Sequence, residues 1–215
     1  MKSFKDRLAY GFSLLNIEAD DSQFNKFELF AELLLKWNRV YNLTAIKSEE
    51  EVLTKHLLDS ATLVPFVRQF SEGKKTRVLD VGCGGGLPGI PLAILLSNIY
   101  FDLIDTVSKK ISFVRQAAIN LKLSNLNAIN NRVENFYPEY SYDLISCRAF
   151  SSLSDFVSLT DHLLSEEGRW LAMKGKVPED EIASLPEGIM VSEIIKLKVP
   201  YLEMERNLIV LSKKA

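Results

Sequence analysis

Apolar positions along the chain keep two different rhythms. From Met1 to about Phe70 the spacing is helical: Phe4, Leu8, Phe12 and Leu15 recur every three or four residues, and Phe24, Phe27, Phe30, Ala31, Leu34 and Trp37 form one face of a second helix. Ser48-Glu49-Glu50-Glu51 reads as a capping box opening another helix. After the polar stretch Ser71-Glu72-Gly73-Lys74-Lys75, short β-branched or apolar runs alternate with helical patterns, the signature of βαβ units around a largely parallel sheet. Strands are expected at Arg77 to Val81, Tyr100 to Ile104, Leu126 to Ile129, Tyr142 to Ser146 and Arg169 to Met173. Helices are expected near Gly89 to Leu96, Ser108 to Leu121 and Ser154 to Leu164. Ile189 to Val199 and Glu203 to Leu211 could form a closing antiparallel pair. The expectation is an α/β fold, with a helical segment over 1–70 packed on a domain over 71–215.

Composition narrows the function classes. Of 215 residues, 47% are hydrophobic and 25% charged, which supports a full core and excludes a disordered or fibrous chain. Lys plus Arg number 26 against 28 Asp plus Glu, so no bulk positive field draws the chain to nucleic acid and any such contact needs a local patch. Cys83 and Cys147 lie far apart, without metal-ligand spacing or a disulfide framework, which suits a reducing cytoplasm and no metal. The first residues read as an amphipathic helix and not a signal peptide, and Ile90 to Leu96 is too short to span a bilayer, so no membrane role is expected.

The strongest local signal is Val78-Leu79-Asp80-Val81-Gly82-Cys83-Gly84-Gly85-Gly86-Leu87-Pro88-Gly89-Ile90-Pro91. A buried strand turns through five glycines into a helix, so backbone can approach a ligand where any Cβ would collide. No Gly-Lys-Ser/Thr ends the run, which argues against a P-loop. Leu87 stands where a dinucleotide loop wants a third glycine, which weakens that reading. Asp105 closes the next strand about 20 residues on, where a carboxylate suits a ribose diol. Asp80, Gly82, Gly84 and Asp105 together resemble the S-adenosyl-L-methionine (AdoMet) site of class I methyltransferases.

Other candidates keep two readings each. His56-x-x-Asp59-Ser60 holds the residue types of a hydrolase triad, but no GxSxG elbow accompanies it. His56 is either a locally bonded structural histidine or a polar edge of a substrate cleft. Arg148, after the fourth strand, is either paired with an acid or placed for the AdoMet carboxylate or a substrate phosphate. Lys174-Gly175-Lys176 follows the fifth strand at the same edge and, with Arg148, Lys109, Lys110 and Arg132, could form a basic rim.

Trp37-Asn38, Asn42-Leu43-Thr44, His56-x-x-Asp59-Ser60, the glycine loop, Asp105 with Lys109-Lys110, Arg132-Val133-Glu134, Arg148-Ala149-Phe150 and Lys174-Gly175 resemble, in order, the signatures of the bacterial ribosomal RNA small subunit methyltransferase G family. The resemblance runs from about residue 30 to the C-terminus. It implies a Rossmann-like class I methyltransferase with a mostly parallel seven-stranded sheet. It also implies AdoMet-dependent methylation of guanine N7 in the helix 18 loop of 16S rRNA, and the net charge of -2 predicts weak binding to isolated RNA and dependence on the 30S subunit or its precursor. Cofactor contacts would come from Gly82, Leu87, Val133, Glu134 and Arg148, and substrate contacts from Asn38, His56, Arg148 and Lys174. Guanine N7 carries a lone pair and no proton, so no catalytic acid or base is expected. The alternatives are a methyltransferase with another substrate, a non-catalytic nucleotide-binding module, or a dinucleotide oxidoreductase.

Overall fold

A computed structural model describes residues 3–72 and 74–214; Met1 and Lys2 of the first expected helix and Gly73 of the expected linker lie outside it. Helix α1 (Phe4–Leu14) opens with a capping box between Ser3 and Asp6, and α2 (Asp21–Tyr41) with one between Asp20 and Gln23. Helix α2 buries Phe27, Phe30, Ala31, Leu34 and Asn38, a stripe at the spacing of one helix face, and ends at Asn42 in the left-handed conformation. At Ser48 only half of the expected capping box forms. The Ser48 hydroxyl accepts the Glu51 amide at 3.2 Å, while the Glu51 carboxylate turns to the Lys55 ammonium at 2.7 Å. Helix α3 (Glu49–Val52) runs into a π-helical stretch (Leu53–Leu58), and α4 (Asp59–Ala61) and α5 (Val64–Phe70) complete the segment.

The remainder alternates β1 (Arg77–Val81), α6 (Gly89–Leu95), β2 (Tyr100–Asp105), α7 (Ser108–Asn120), β3 (Leu126–Asn130), β4 (Tyr142–Arg148), α8 (Leu153–Thr160), β5 (Leu164–Lys174), α9 (Glu179–Ala183), β6 (Ile189–Lys196) and β7 (Asn207–Lys213). The seven strands lie in the order β3-β2-β1-β4-β5-β7-β6. β1 to β5 are parallel and β7 runs antiparallel to both β5 and β6. The expected elements are present with shifted ends. The largest shift is at α8, which stops at Thr160 and gives way to a strand from Leu164; the Trp170 indole donates to the Thr160 hydroxyl at 2.8 Å across that junction. Helix α9 was not expected from the pattern.

Alternation along the strands divides the core. Val78, Phe101, Leu103, Leu144 and Leu171 face one apolar cluster shared with α1, α2, α6 and α7, whereas Leu79, Ile104, Ile145, Trp170 and Ile209 face another shared with α8. The helical segment therefore packs into the same apolar cluster as one sheet face. Chain order reverses between β1 and β4, and in an open α/β sheet the crevice at the carboxyl ends of strands beside such a reversal is where ligands bind.

Candidate active site: two clefts at the carboxyl edge

The glycine loop is built by backbone conformation. Gly82, Gly84 and Gly86 take φ of 68°, 55° and 79°, in the region that glycine occupies at little cost. A Cβ on Gly86 would lie 2.4 Å from Ile90 Cδ1, so the loop folds tightly onto the first turn of α6. Asp80, at the end of β1, is only 1% exposed and stands beneath the loop. One of its oxygens accepts the Gly89 amide at 3.0 Å and the other the Ser146 hydroxyl at 3.2 Å, tying α6 and β4 to β1. Burial pushes its carboxyl up to about 7, against the opposing effect of the Gly89 amide. Asp105 ends β2 and accepts the Gly84 amide at 3.0 Å and the Val107 amide at 2.8 Å, one on each oxygen. Each oxygen keeps a second lone pair.

Beside this loop lies a cleft of about 380 Å³, whose wall includes Gly82, Asp105, Lys110, Val133, Glu134 and Phe150. A second cleft of about 460 Å³ opens on the same edge, lined by Thr44, His56, Asp59, Arg148, Lys174 and Arg206 among others. The backbone between them turns at Ala149, which holds φ of 62°; Arg148 on one side enters the second cleft and Phe150 on the other lines the first. A non-glycine residue in that conformation is strained, and such strain concentrates at functional sites.

Asp59 organises the second cleft. It is 2% exposed, and its two oxygens meet Arg148 Nη1 at 3.3 Å and Arg206 Nε at 3.1 Å. Two guanidiniums share one carboxylate, which leaves an excess of positive charge. The π-helical stretch presents the Lys55 carbonyl to the same Arg148 nitrogen at 3.1 Å, and π turns recur at functional sites. His56 Nδ1 lies 3.3 Å from Arg148 Nη2. Nδ1 also lies 3.0 Å from the Lys55 carbonyl, which only accepts, so Nδ1–H donates there and Nε2 accepts from the Thr44 hydroxyl at 2.9 Å, whose oxygen in turn accepts the Ile46 amide at 3.2 Å. Burial and then the Arg148 charge hold the imidazole down to about 4, so it is neutral at physiological pH. Lys174 is bonded to Glu181 of α9 at 2.7 Å.

Of the residues expected to contact ligands, Gly82, Asp105, Val133 and Glu134 meet at the first cleft. His56, Arg148 and Lys174 meet at the second. Arg148 lines the second cleft, next to Ala149 at the divide. Gly84 stands behind the first cleft, donating to Asp105, and Leu87 is buried in the loop with its amide on the Cys83 carbonyl at 3.0 Å. Asn38 stands behind the second cleft: its amide accepts from Thr44 N–H at 2.8 Å and donates to the Ile46 carbonyl at 2.7 Å, fixing the loop that carries Thr44. Cys83 and Cys147 are buried free thiols, and burial pushes both well up. Arg206 was missed, although topology could have found it: β7 is antiparallel, so its first residue, Asn207, pairs with Lys174 at the carboxyl edge. Among the described residues, no group of three or more His, Cys, Asp or Glu is placed to hold a metal ion, and no helix is long and apolar enough to cross a membrane.

The strand order, the antiparallel seventh strand and the glycine loop facing an acid at the end of β2 define a class I methyltransferase fold. Solved structures agree. Magnesium protoporphyrin IX methyltransferase from Synechocystis PCC 6803, with bound SAM, superposes with a TM-score of 0.62 at 16% identity, covering 91% of this chain and 99% of that one. TrmN from Thermus thermophilus gives 0.56 at 19%, covering 75% and 53%. Residues 23–209 match the family model GidB, described as rRNA small subunit methyltransferase G. Proteins named ribosomal RNA small subunit methyltransferase G are 45% identical in Chromobacterium violaceum, covering 94% of each chain, and 46% identical in Azoarcus sp., covering 98% of this chain and 97% of that protein. The chain belongs to the rRNA small subunit methyltransferase G family.

Proposed function

We propose that this chain transfers a methyl group from AdoMet to N7 of a guanine in the helix 18 loop of 16S rRNA, in the cytoplasm, on the 30S subunit or its precursor. The observation that carries the reading is the pair of clefts divided by Ala149. One has the glycine loop and a carboxylate with free lone pairs; the other has an excess of arginine charge.

The residues of the first cleft fit the cofactor. Asp105 can accept from ribose hydroxyls on the lone pairs that the Gly84 and Val107 amides leave. Gly82 leaves its side open where a Cβ would approach Phe150 at 4.0 Å. Val133 and Glu134 supply backbone and side chain on the facing wall. Gly84, Leu87 and Asp80 act one step back, shaping the loop. When bound, the cofactor supplies an electrophilic methyl on a sulfonium.

The second cleft fits the nucleotide. Arg148 and Lys174 can hold O6 or phosphate, and neither need touch N7, whose lone pair must face the methyl. His56 and Asn38 act through the Thr44 loop. No base is required, and the neutral imidazole is already engaged on both nitrogens, by the Lys55 carbonyl and the Thr44 hydroxyl. Catalysis then rests on orientation, which can be worth about 7–11 kcal/mol in well-aligned systems. Methylated guanine is cationic, so the charge on Arg148 and Arg206 favours its release.

The test is tritiated methyl incorporation from AdoMet into 30S subunits and into protein-free 16S rRNA, with the product mapped by primer extension. Label on an N7 of the helix 18 loop, with 30S subunits favoured, is expected. No incorporation, or label at another base, overturns the proposal, and equal activity on naked rRNA overturns the assembly requirement.

A further inference from the structure

The C-terminal end of α2 is exposed in an unusual way. Val40 is 70% and Tyr41 39% exposed at the end of a helix whose Phe27, Phe30 and Leu34 are in the core. Tyr41 does not stand alone: its ring lies 5.2 Å from that of Trp37, which packs at 5.6 Å against Phe113 of α7. Two observations fix where this end points. Gln23, in the first turn of α2, donates to the Ile94 carbonyl at the far end of α6, away from the glycine loop. The loop that follows α2 supplies Thr44, Ala45 and Ile46 to the second cleft. Helix α2 therefore runs toward the carboxyl edge, and α7, which starts there after β2, runs away from it. In this antiparallel pair Tyr41 is one turn above Trp37, and Lys109 one turn above Phe113. The aromatic end of α2 and the first turn of α7 thus share one edge, beside both clefts.

The charge there is uncompensated. Lys47, in the loop that follows α2, and Lys109 are exposed, and neither has a carboxylate partner among the described residues. An exposed aromatic face held rigid from below and flanked by free cations, on a protein of net charge -2, matches a single RNA strand: bases stack and phosphates meet the cations.

We propose that Tyr41, backed by Trp37, stacks on an unpaired base beside the target nucleotide, with Lys47 and Lys109 on the adjoining phosphates. This rests on the RNA-methyltransferase reading above and adds a strand-binding rim to it. The rim is an RNA surface, not a protein-docking one.

The experiment is equilibrium binding, without cofactor, to undermethylated 30S subunits and to protein-free 16S rRNA over a series of KCl concentrations. Tyr41→Ala is expected to weaken binding to both by roughly 5- to 100-fold, the range for losing one base–aromatic stack, while Tyr41→Phe retains it. The combined Lys47→Gln and Lys109→Gln variant should lower the slope of log K against log salt by about 1.4, from about 0.7 per phosphate. Calorimetric AdoMet binding monitors the fold. If Tyr41→Ala does not fold, the charge variant alone decides. Undiminished binding by Tyr41→Ala with an unchanged salt slope overturns the rim. Weakening on 30S subunits alone also overturns it, because a ribosomal protein would then occupy the surface. A wild-type chain that methylates no rRNA refutes the earlier reading instead.

Discussion

The Gly84 amide donates to the Asp105 carboxylate at 3.0 Å, so the glycine loop after β1 is tied directly to the end of β2. That bond requires the loop's conformation, and two glycines in it contribute differently. Gly84 holds φ of 55°, and a methyl added there would find its nearest neighbour 4.0 Å away, whereas Gly86 holds 79° and would drive the same methyl into Ile90. Gly84→Ala should cost about 1–2 kcal/mol from backbone conformation alone. Gly86→Ala adds a steric clash and should cost about 2–5 kcal/mol. Urea unfolding of the two variants checks the order; equal losses would show that the loop yields to Ile90 freely.

Ala149 tests the divide between the clefts. Its φ of 62° is one that an L-residue holds at a cost, and glycine removes most of it. Ala149→Gly should stabilise the fold by about 0.5–1 kcal/mol, after allowing for the added chain entropy of glycine. Ala149→Val, β-branched at the same angle, should destabilise it by about 1–3 kcal/mol. Thermal melts of the pair measure both signs at once.

Much of this site could be read from the sequence, for identifiable reasons. Glycines at positive φ have few substitutes, so Gly82, Gly84 and Gly86 announce a bend. A strand end carrying an acid is a positional signal, and Asp105 stands there. The π-helical stretch was hidden because one added residue barely disturbs the apolar period over Leu53–Leu58. It is nonetheless what offers the Lys55 carbonyl to Arg148. Lys174 was visible as a basic residue after a strand, but its partner Glu181 lies on a helix of five residues, too short to leave a pattern. Arg206 carries no motif at all, and only the antiparallel direction of β7 brings it to Asp59.

The shared carboxylate predicts a particular non-additivity. With Arg148 removed, Asp59 keeps Arg206, and the reverse also holds. Either single alanine variant should therefore cost about 1–3 kcal/mol, while the double variant strands a buried charge. The double loss should exceed the sum of the singles by about 1–3 kcal/mol. Simple additivity in a denaturation cycle would mean that Asp59 serves only one arginine. Arg148→Ala should in addition abolish most methyl transfer at fixed RNA concentration, since its cleft loses the charge that meets the nucleotide.

The pH dependence of stability sets two buried groups against each other. Asp80 holds its proton up to about 7 in the fold but gives it up near 4 when unfolded, so between those values the folded state binds more protons and stability falls as pH rises. His56 is the reverse: unfolded, it protonates near 6.5, and folded only near 4, so over that window stability rises with pH. Each effect is on the order of a few kcal/mol, at roughly 1.4 kcal/mol per unit, and the two largely cancel between about pH 4 and 6.5. Asp80→Asn keeps an acceptor for the Gly89 amide and removes the first slope, so its stability should climb with pH over this interval. His56→Gln removes the second, so its stability should decline over the same interval and on to about pH 7. Urea midpoints measured every half unit from pH 4.5 to 7.5 would show opposite slopes in the two variants, and slopes of the same sign would contradict the burial assigned to one of these groups.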